Sequence, residues 1–267
     1  MSSHDGGPGF CQFLSGGSPS PALGRQTFLS RCRGSFDSGD LEEEVEAGDT
    51  VRDMESPTPR TEVRRLPERA VYDPAAINAI LDEALICHLG FVVEGSPFVI
   101  PTIHARVDDT LYFHGSPASR MLRSMKMGME VSVAVTLLDG LVVARTPFHQ
   151  SLNYRSVVVF GEARLVDDLD EKMAALKAVT DHVTPGRWED SRPPTDAEVR
   201  ATLVLALPLD EASAKVRTGP PVDEEEDLGL PHWAGVVPMS LIPGEPVPAE
   251  GVDWSAPGYL ADYQRPR

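Results

Sequence analysis

The segment Leu111-Tyr112-Phe113-His114-Gly115-Ser116-Pro117-Ala118-Ser119-Arg120 gathers more groups able to do chemistry than any other stretch of the chain. A strand-like run ends at Gly115, and Ser116-Pro117 has the form of a helix start. Unpaired backbone N–H groups in that first turn, two serine hydroxyls and the Arg120 guanidinium together make an anion site. The same residues also describe an ordinary cap followed by a solvated arginine, and spacing alone leaves both readings open.

Other candidates are sparser. There are seven histidines, none paired at helical i, i+4 spacing, and His88, His104 and His114 fall on separate strand-like segments. His114 and His149 are the best candidates for moving a proton, since an unperturbed imidazole titrates near neutrality. The stretch from Pro147 to Tyr154 is a polar connection between strands, suited either to binding at a barrel rim or to satisfying its own backbone. Lys215 and Arg217, two apart on a strand, point to one face as a second anion contact or as a charged edge. Cys87 sits in an apolar strand with no base or cation beside it and reads as core. Trp233 reads as a packing residue near a ligand or dimer groove. No GxSxG elbow, HExxH pair or P-loop is present.

These residues must be held by a chain of 267 residues with 24 Lys+Arg against 41 Asp+Glu, a formal net charge of −17. So acidic a chain has no electrostatic footprint for nucleic acid or an anionic membrane. No apolar run approaches the roughly 20 residues that span a bilayer. Three cysteines, Cys11, Cys32 and Cys87, are too few and too scattered for a disulfide framework and suit a reducing cytoplasm.

Residues 1–62 are rich in Gly, Ser and Pro with an acidic run from Asp37 to Glu55, and read as a disordered tail. Residues 63–248 form the folded domain and 249–267 a C-terminal tail. Asp73-Pro74 opens a helix with Ile77, Ile80, Leu81 and Ala84 on one stripe. Strand-like runs follow over Ile86–Val93, Pro97–Arg106 and Thr110–His114, and a second helix runs from Ser116 to Gly128. Glu130–Leu138 is a strand, Asp139-Gly140 a hairpin turn into Leu141–Ala144, and Tyr154–Val166 a long β-branched strand. Asp168 with Glu171, and Thr195 with Glu198, are capping patterns for two further helices. Strands over Thr202–Leu209 and Ser213–Arg217 complete a set of six to eight, mostly antiparallel. That density of short strands and tight turns predicts a small barrel with flanking helices.

The run from Ile86 to Val166 resembles the pyridoxamine 5′-phosphate oxidase-like superfamily of FMN-binding split β-barrels. The likeness rests on four motifs in order: Cys87-His88-Leu89-Gly90-Phe91, Pro97-Phe98-Val99-Ile100-Pro101-Thr102, Leu111 to Arg120, and Asn153 to Ala163. The segments Lys215 to Pro220 and Trp233 to Pro238 are similar to the flavin-nucleotide-binding branch that includes nitroimidazole-resistance proteins. The resemblance implies an α+β antiparallel split barrel, a homodimer with FMN in the groove between subunits, and cofactor contacts from Pro101, Thr102, His114, Gly115, Ser116, Ser119, Arg120 and, across the dimer, Ser156. Ser119 and Arg120 match the phosphate contacts, while Met121 stands where the true oxidases carry lysine. Ile100 and Ala105 lie near the place of a phosphate-holding Arg/Lys pair, and the terminal Arg-Leu-x-Pro signature is absent.

The resemblance therefore implies an FMN-dependent oxidoreductase acting on a small organic substrate other than the vitamin phosphate. The alternative is a non-catalytic module of the same fold that binds or senses flavin, heme or deazaflavin.

Overall fold

Local signals place the helices. In the computed structural model, which describes residues 58–117 and 128–264, the Asp73 carboxylate accepts from Ala76 N–H and starts α1 (Pro74–Glu83). Asp168 accepts from Glu171 N–H to start α2 (Leu169–Val183). Thr195 and Glu198 form the reciprocal capping box of α3 (Asp196–Arg200). A final short turn, α4, spans Gly258–Ala261. No helix among the described residues is long and apolar enough to cross a membrane.

Among the described residues ten strands form one all-antiparallel system: β1 (Ala70–Val71), β2 (Cys87–Val93), β3 (Ser96–Thr102), β4 (Ala105–Val107), β5 (Thr110–Gly115), β6 (Met129–Val143), β7 (Ser151–Leu165), β8 (Leu203–Pro208), β9 (Glu211–Arg217) and β10 (Gly235–Pro238). The main path runs β3-β2-β6-β7-β8-β5-β4. β7 is where the barrel splits. Its Tyr154–Phe160 stretch pairs with β9, whereas Arg164 and Leu165 pair with β8. β3 and β4 end the path, so the sheet stays open, with two strands more than the upper expectation.

The core follows from strand periodicity. On β6 the residues Val131, Val133, Val135 and Leu137 point inward, and Val157 and Val159 of β7 join them. Ile77, Ile80 and Leu81 of α1 plug the same interior. β5 and β8 do not alternate, because α2 covers their other face: Tyr112, Val204 and Ala206 pack against Ala175 and Leu176 there. A strand buried on both sides reads as a continuous apolar run.

Two sequence expectations are corrected. Asp139-Gly140 is not a hairpin turn. β6 runs straight through it, with Asp139 as the extra residue of a bulge between the pairs Leu138↔Tyr154 and Gly140↔Asn153. Pairing with β7 on one edge and β10 on the other holds both halves in one strand, and the reversal comes at residues 144–150. The Pro97–Arg106 run divides at Ile103-His104, where the chain leaves β3 for β4. Trp233 is exposed in the single chain, its ring lying over Gly235.

The packed region also reaches beyond 63–248 at both ends. Thr61 is buried, and Arg60 pairs with Glu130 and Glu211. At the far end, Tyr263 O–H donates to the Val183 carbonyl over 2.9 Å. The helix expected from Ser116 to Gly128 lies outside the described residues, except for Ser116, Pro117 and Gly128 themselves. Gly128 has φ 71°.

Candidate functional site

The end of β5 meets α2 at a cleft of about 400 Å³. Ile103, Leu176, Val179, Val183 and Trp188 give it an apolar wall, and His114, Thr180 and Glu198 are its main polar groups. β5 places His114 there through its pairing with Val204, and Gly115 pairs with Leu203 beside it. The His114 Nδ1 is sealed from solvent and has no hydrogen-bond partner. Burial holds the imidazole below its ordinary value of 6.5, so the ring is uncharged at neutral pH. An unpaired ring nitrogen in an apolar cleft is costly unless a ligand or water meets it.

Of the sequence-predicted site residues with a described position, only His114 lines this cleft. Ile103, which directly follows Thr102, and His114 line the same cleft, and Gly115, Ser116 and Pro117 lead out of it. Ser119 and Arg120 lie outside the described residues. Pro101 stands on the outer face of the sheet, across from His88.

Ser156 shares that outer face, on β7, with its Oγ–H donating to the Lys215 carbonyl over 3.2 Å. Two strands, β2 and β6, separate Pro101 from Ser156. At ~4.8 Å per strand the two are roughly 15 Å apart in one chain, so they do not share a pocket within it.

His149 is not near His114. It sits in the 3-10 turn Pro147–His149 before β7, with Nε2 3.6 Å from Glu224. The cleft lies beyond the opposite end of β7, about 45 Å of strand away at ~3.3 Å per residue. One subunit therefore cannot use both histidines on one substrate. The surrounding connection is satisfied in part by Gln150, while Thr146 Oγ1 is buried without a partner. Gln150 Nε2 donates to the Ala144 and Thr146 carbonyls, and Gln150 Oε1 accepts from Ala144 N–H.

The suggested second anion contact is also structural. Arg217 is buried, pairs with Asn153 and donates to the carbonyls of Gly219 and Pro220, while Lys215 Nζ donates to the Arg65 carbonyl. Among the described residues no cluster of three or more His, Cys, Asp or Glu could hold a metal ion. Cys87 is fully buried and its thiol is pushed up to about 12 by desolvation, as a core residue should be.

Sequence reasoning missed the wall supplied by α2. Leu176, Val179 and Val183 recur at i, i+3 and i+7 and read as a core stripe. Only Val179 of the three is buried, however, so the rest of the stripe faces the cleft. A stripe wider than the core beneath it was the available signal. The pair His104 and His182 was also missed. Both donate Nε2–H to the end of α1, at the Leu81 and Ala84 carbonyls over 3.0 and 2.8 Å, with ring centroids 5.1 Å apart.

An open antiparallel split barrel whose β5 end forms a cleft beneath a covering helix is a recognisable architecture. The family model described as pyridoxamine 5′-phosphate oxidase matches residues 73–216, more than half of the chain, and the protein belongs to this family. Among solved structures it is similar to the flavocytochrome Anf3 from Azotobacter vinelandii, at 40% identity and TM-score 0.72, covering 79% of this chain and 99% of that one. It is also similar to the FAD and heme binding protein from Mycobacterium smegmatis, at 36% identity and TM-score 0.70, covering 73% of this chain and 96% of that one. No curated protein matches.

Proposed function

We propose that this protein is a flavin-binding redox protein that works as a homodimer on a small organic or electron-accepting partner in the cytoplasm. The observation that carries the reading is the cleft itself: an apolar wall with an uncharged His114 at the end of β5, and Gly115 and Ser116 next in the chain. That is the chemistry a planar, amphipathic ring system with a phosphate tail requires. Ile103 and His114 would contact the ring. Gly115 and Ser116, with Ser119 and Arg120 beyond them, would hold the phosphate of FMN, the portion that FAD shares.

The flavin supplies reversible one- and two-electron chemistry, and the chain supplies position, dryness and polarity. His114, being uncharged, offers a hydrogen bond without adding charge to the ring. The homodimer is supported by the outer sheet face, where Val92, Val99, Leu138, Leu141 and Leu152 stand exposed. A second copy on that face would cover them and bring its Ser156 toward the groove.

A second reading adds heme, which the name of the second similar protein includes.

The experiment is to purify the chain, record its absorbance, and identify released flavin by mass, so that FMN, FAD and heme are told apart. Arg120→Ala should weaken flavin binding by about 1–3 kcal/mol, the worth of a charge-assisted contact. A colourless protein that takes up neither FMN nor FAD would refute the proposal.

A further inference from the structure

The last turn of α1 has no glycine to close it, so its free carbonyls must find donors elsewhere. Two histidines from distant parts of the chain supply them. His104, in the link between β3 and β4, donates Nε2–H to the Leu81 carbonyl over 3.0 Å. His182, in the last turn of α2, donates Nε2–H to the Ala84 carbonyl over 2.8 Å. The two rings lie 5.1 Å apart. Side chains of the same turn are tied down as well, Asp82 to Arg106 of β4 and Glu83 to Arg155 of β7. The end of α1 thus serves as one anchor for four elements.

Both histidines adjoin the cleft without lining it. His104 directly follows Ile103, and His182 sits between Thr180 and Val183, all three of which face the cleft. The start of α2 is held by Glu171, which meets Tyr112 and Arg164. Its far end carries Val179, Thr180, Val183 and Thr184 of the cleft wall, and is held by His182 and by Tyr263 O–H on the Val183 carbonyl. An aliphatic side chain at position 104 would fill the core without leaving a buried Nδ1 unmet, as His104 does. What an imidazole adds is a rigid ring that ends in a donor, and so fixes how far its backbone stands from the carbonyl it caps.

We propose that His104 and His182 are positioning residues, a clasp on the end of α1 that sets the spacing between Ile103 and the far end of α2 and so the width of the cleft. The proposal rests on the flavin reading above and names what holds that site in shape. Neither ring touches the ligand. Each acts through its neighbours, Ile103 on one side and the α2 wall on the other.

The test compares the full chain with His182→Leu, His182→Gln and Val133→Ala. Leucine fills the space but cannot donate to Ala84, whereas glutamine carries an N–H where Nε2 stands. Val133 is fully buried on β6 and lines no part of the cleft, so its variant controls for a general loss of stability. Each protein is loaded with FMN and with FAD, and release is followed on dilution by the fluorescence of free flavin. His182→Leu should release flavin roughly tenfold faster, the effect of one net hydrogen bond, and should alter the visible circular dichroism of the bound flavin. His182→Gln should restore both, and Val133→Ala should lower the urea midpoint while moving neither. If the leucine variant does not fold, His182→Asn, whose shorter side chain falls short of the carbonyl, is set against glutamine instead. Release that is unchanged in the donor-less variant, or equally fast in the glutamine and Val133→Ala variants, overturns the clasp while flavin binding stands. If the unsubstituted chain takes up neither flavin, that reading fails, and hydrogen exchange decides the clasp by itself. Amides 103–105 and 180–184 should then exchange faster together in His182→Leu but not in Val133→Ala, and unchanged exchange overturns the proposal.

Discussion

Acid should loosen this protein in part through His104. The ring is fully buried, donates Nε2–H to the Leu81 carbonyl, and leaves Nδ1 without a partner. Its pKa falls from the ordinary 6.5 to about 4, first through desolvation and then through the neighbouring His182, with the Leu81 carbonyl and Asp82 opposing. At pH 8 the ring is neutral in both folded and unfolded chains and contributes no pH dependence. As the pH drops through 6.5 the unfolded chain takes up a proton that the folded chain refuses, so stability falls, and the loss is complete below about 4. With 1.36 kcal/mol per pKa unit the ceiling is about 3 kcal/mol, and about 2 kcal/mol of it is reached at pH 5.

The assay is urea unfolding at pH 8 and pH 5 for the parent and for His104→Gln, which keeps a donor toward Leu81 and removes the titration. Carboxylates shared by both proteins cancel in the double difference, as does the pH-independent cost of the substitution itself. The parent should lose about 2 kcal/mol more than the variant between the two pH values. Equal losses, within about 0.5 kcal/mol, would show that His104 protonates freely in the folded state and would refute the argument.

Cys87, buried and with its thiol pushed up to about 12, should escape alkylation in the native protein at pH 8 and react only in denaturant, as read by mass spectrometry. At Gly140, a Cβ would lie 3.0 Å from Val236 Cγ1 and 3.1 Å from the Val237 carbonyl oxygen. Gly140→Ala should therefore push β10 away at a cost of about 1–2 kcal/mol, seen as a lower urea midpoint and faster amide exchange at Val237 and Met239.

Features fixed by neighbours in sequence were legible; those fixed by distant pairing were not. The caps at Asp73, Asp168 and Thr195 each bond within three residues, so spacing reveals them. Asp139-Gly140 looks like a hairpin turn in isolation, and only the pairing of β6 with β7 and β10 makes it a bulge. Arg217 looks like an edge charge because its partner Asn153 is 64 residues away. His114 stands near a strand end where a motif search finds it, whereas Ile103 falls just past the Pro97–Thr102 motif. The α2 wall facing them is written as an ordinary core stripe, and its role appears only when the helix is laid across β5 and β8.

The placement of β8 also bears on how the protein is made. β5 is complete at Gly115, but the strand that satisfies its open edge does not begin until Leu203. During synthesis the emerging chain must therefore carry an unpaired, apolar β edge across nearly ninety residues of translation, a template for mispairing with other nascent chains. The cleft that depends on β5 comes into being only near the end of translation, and any product released before Leu203 would leave the ribosome without it.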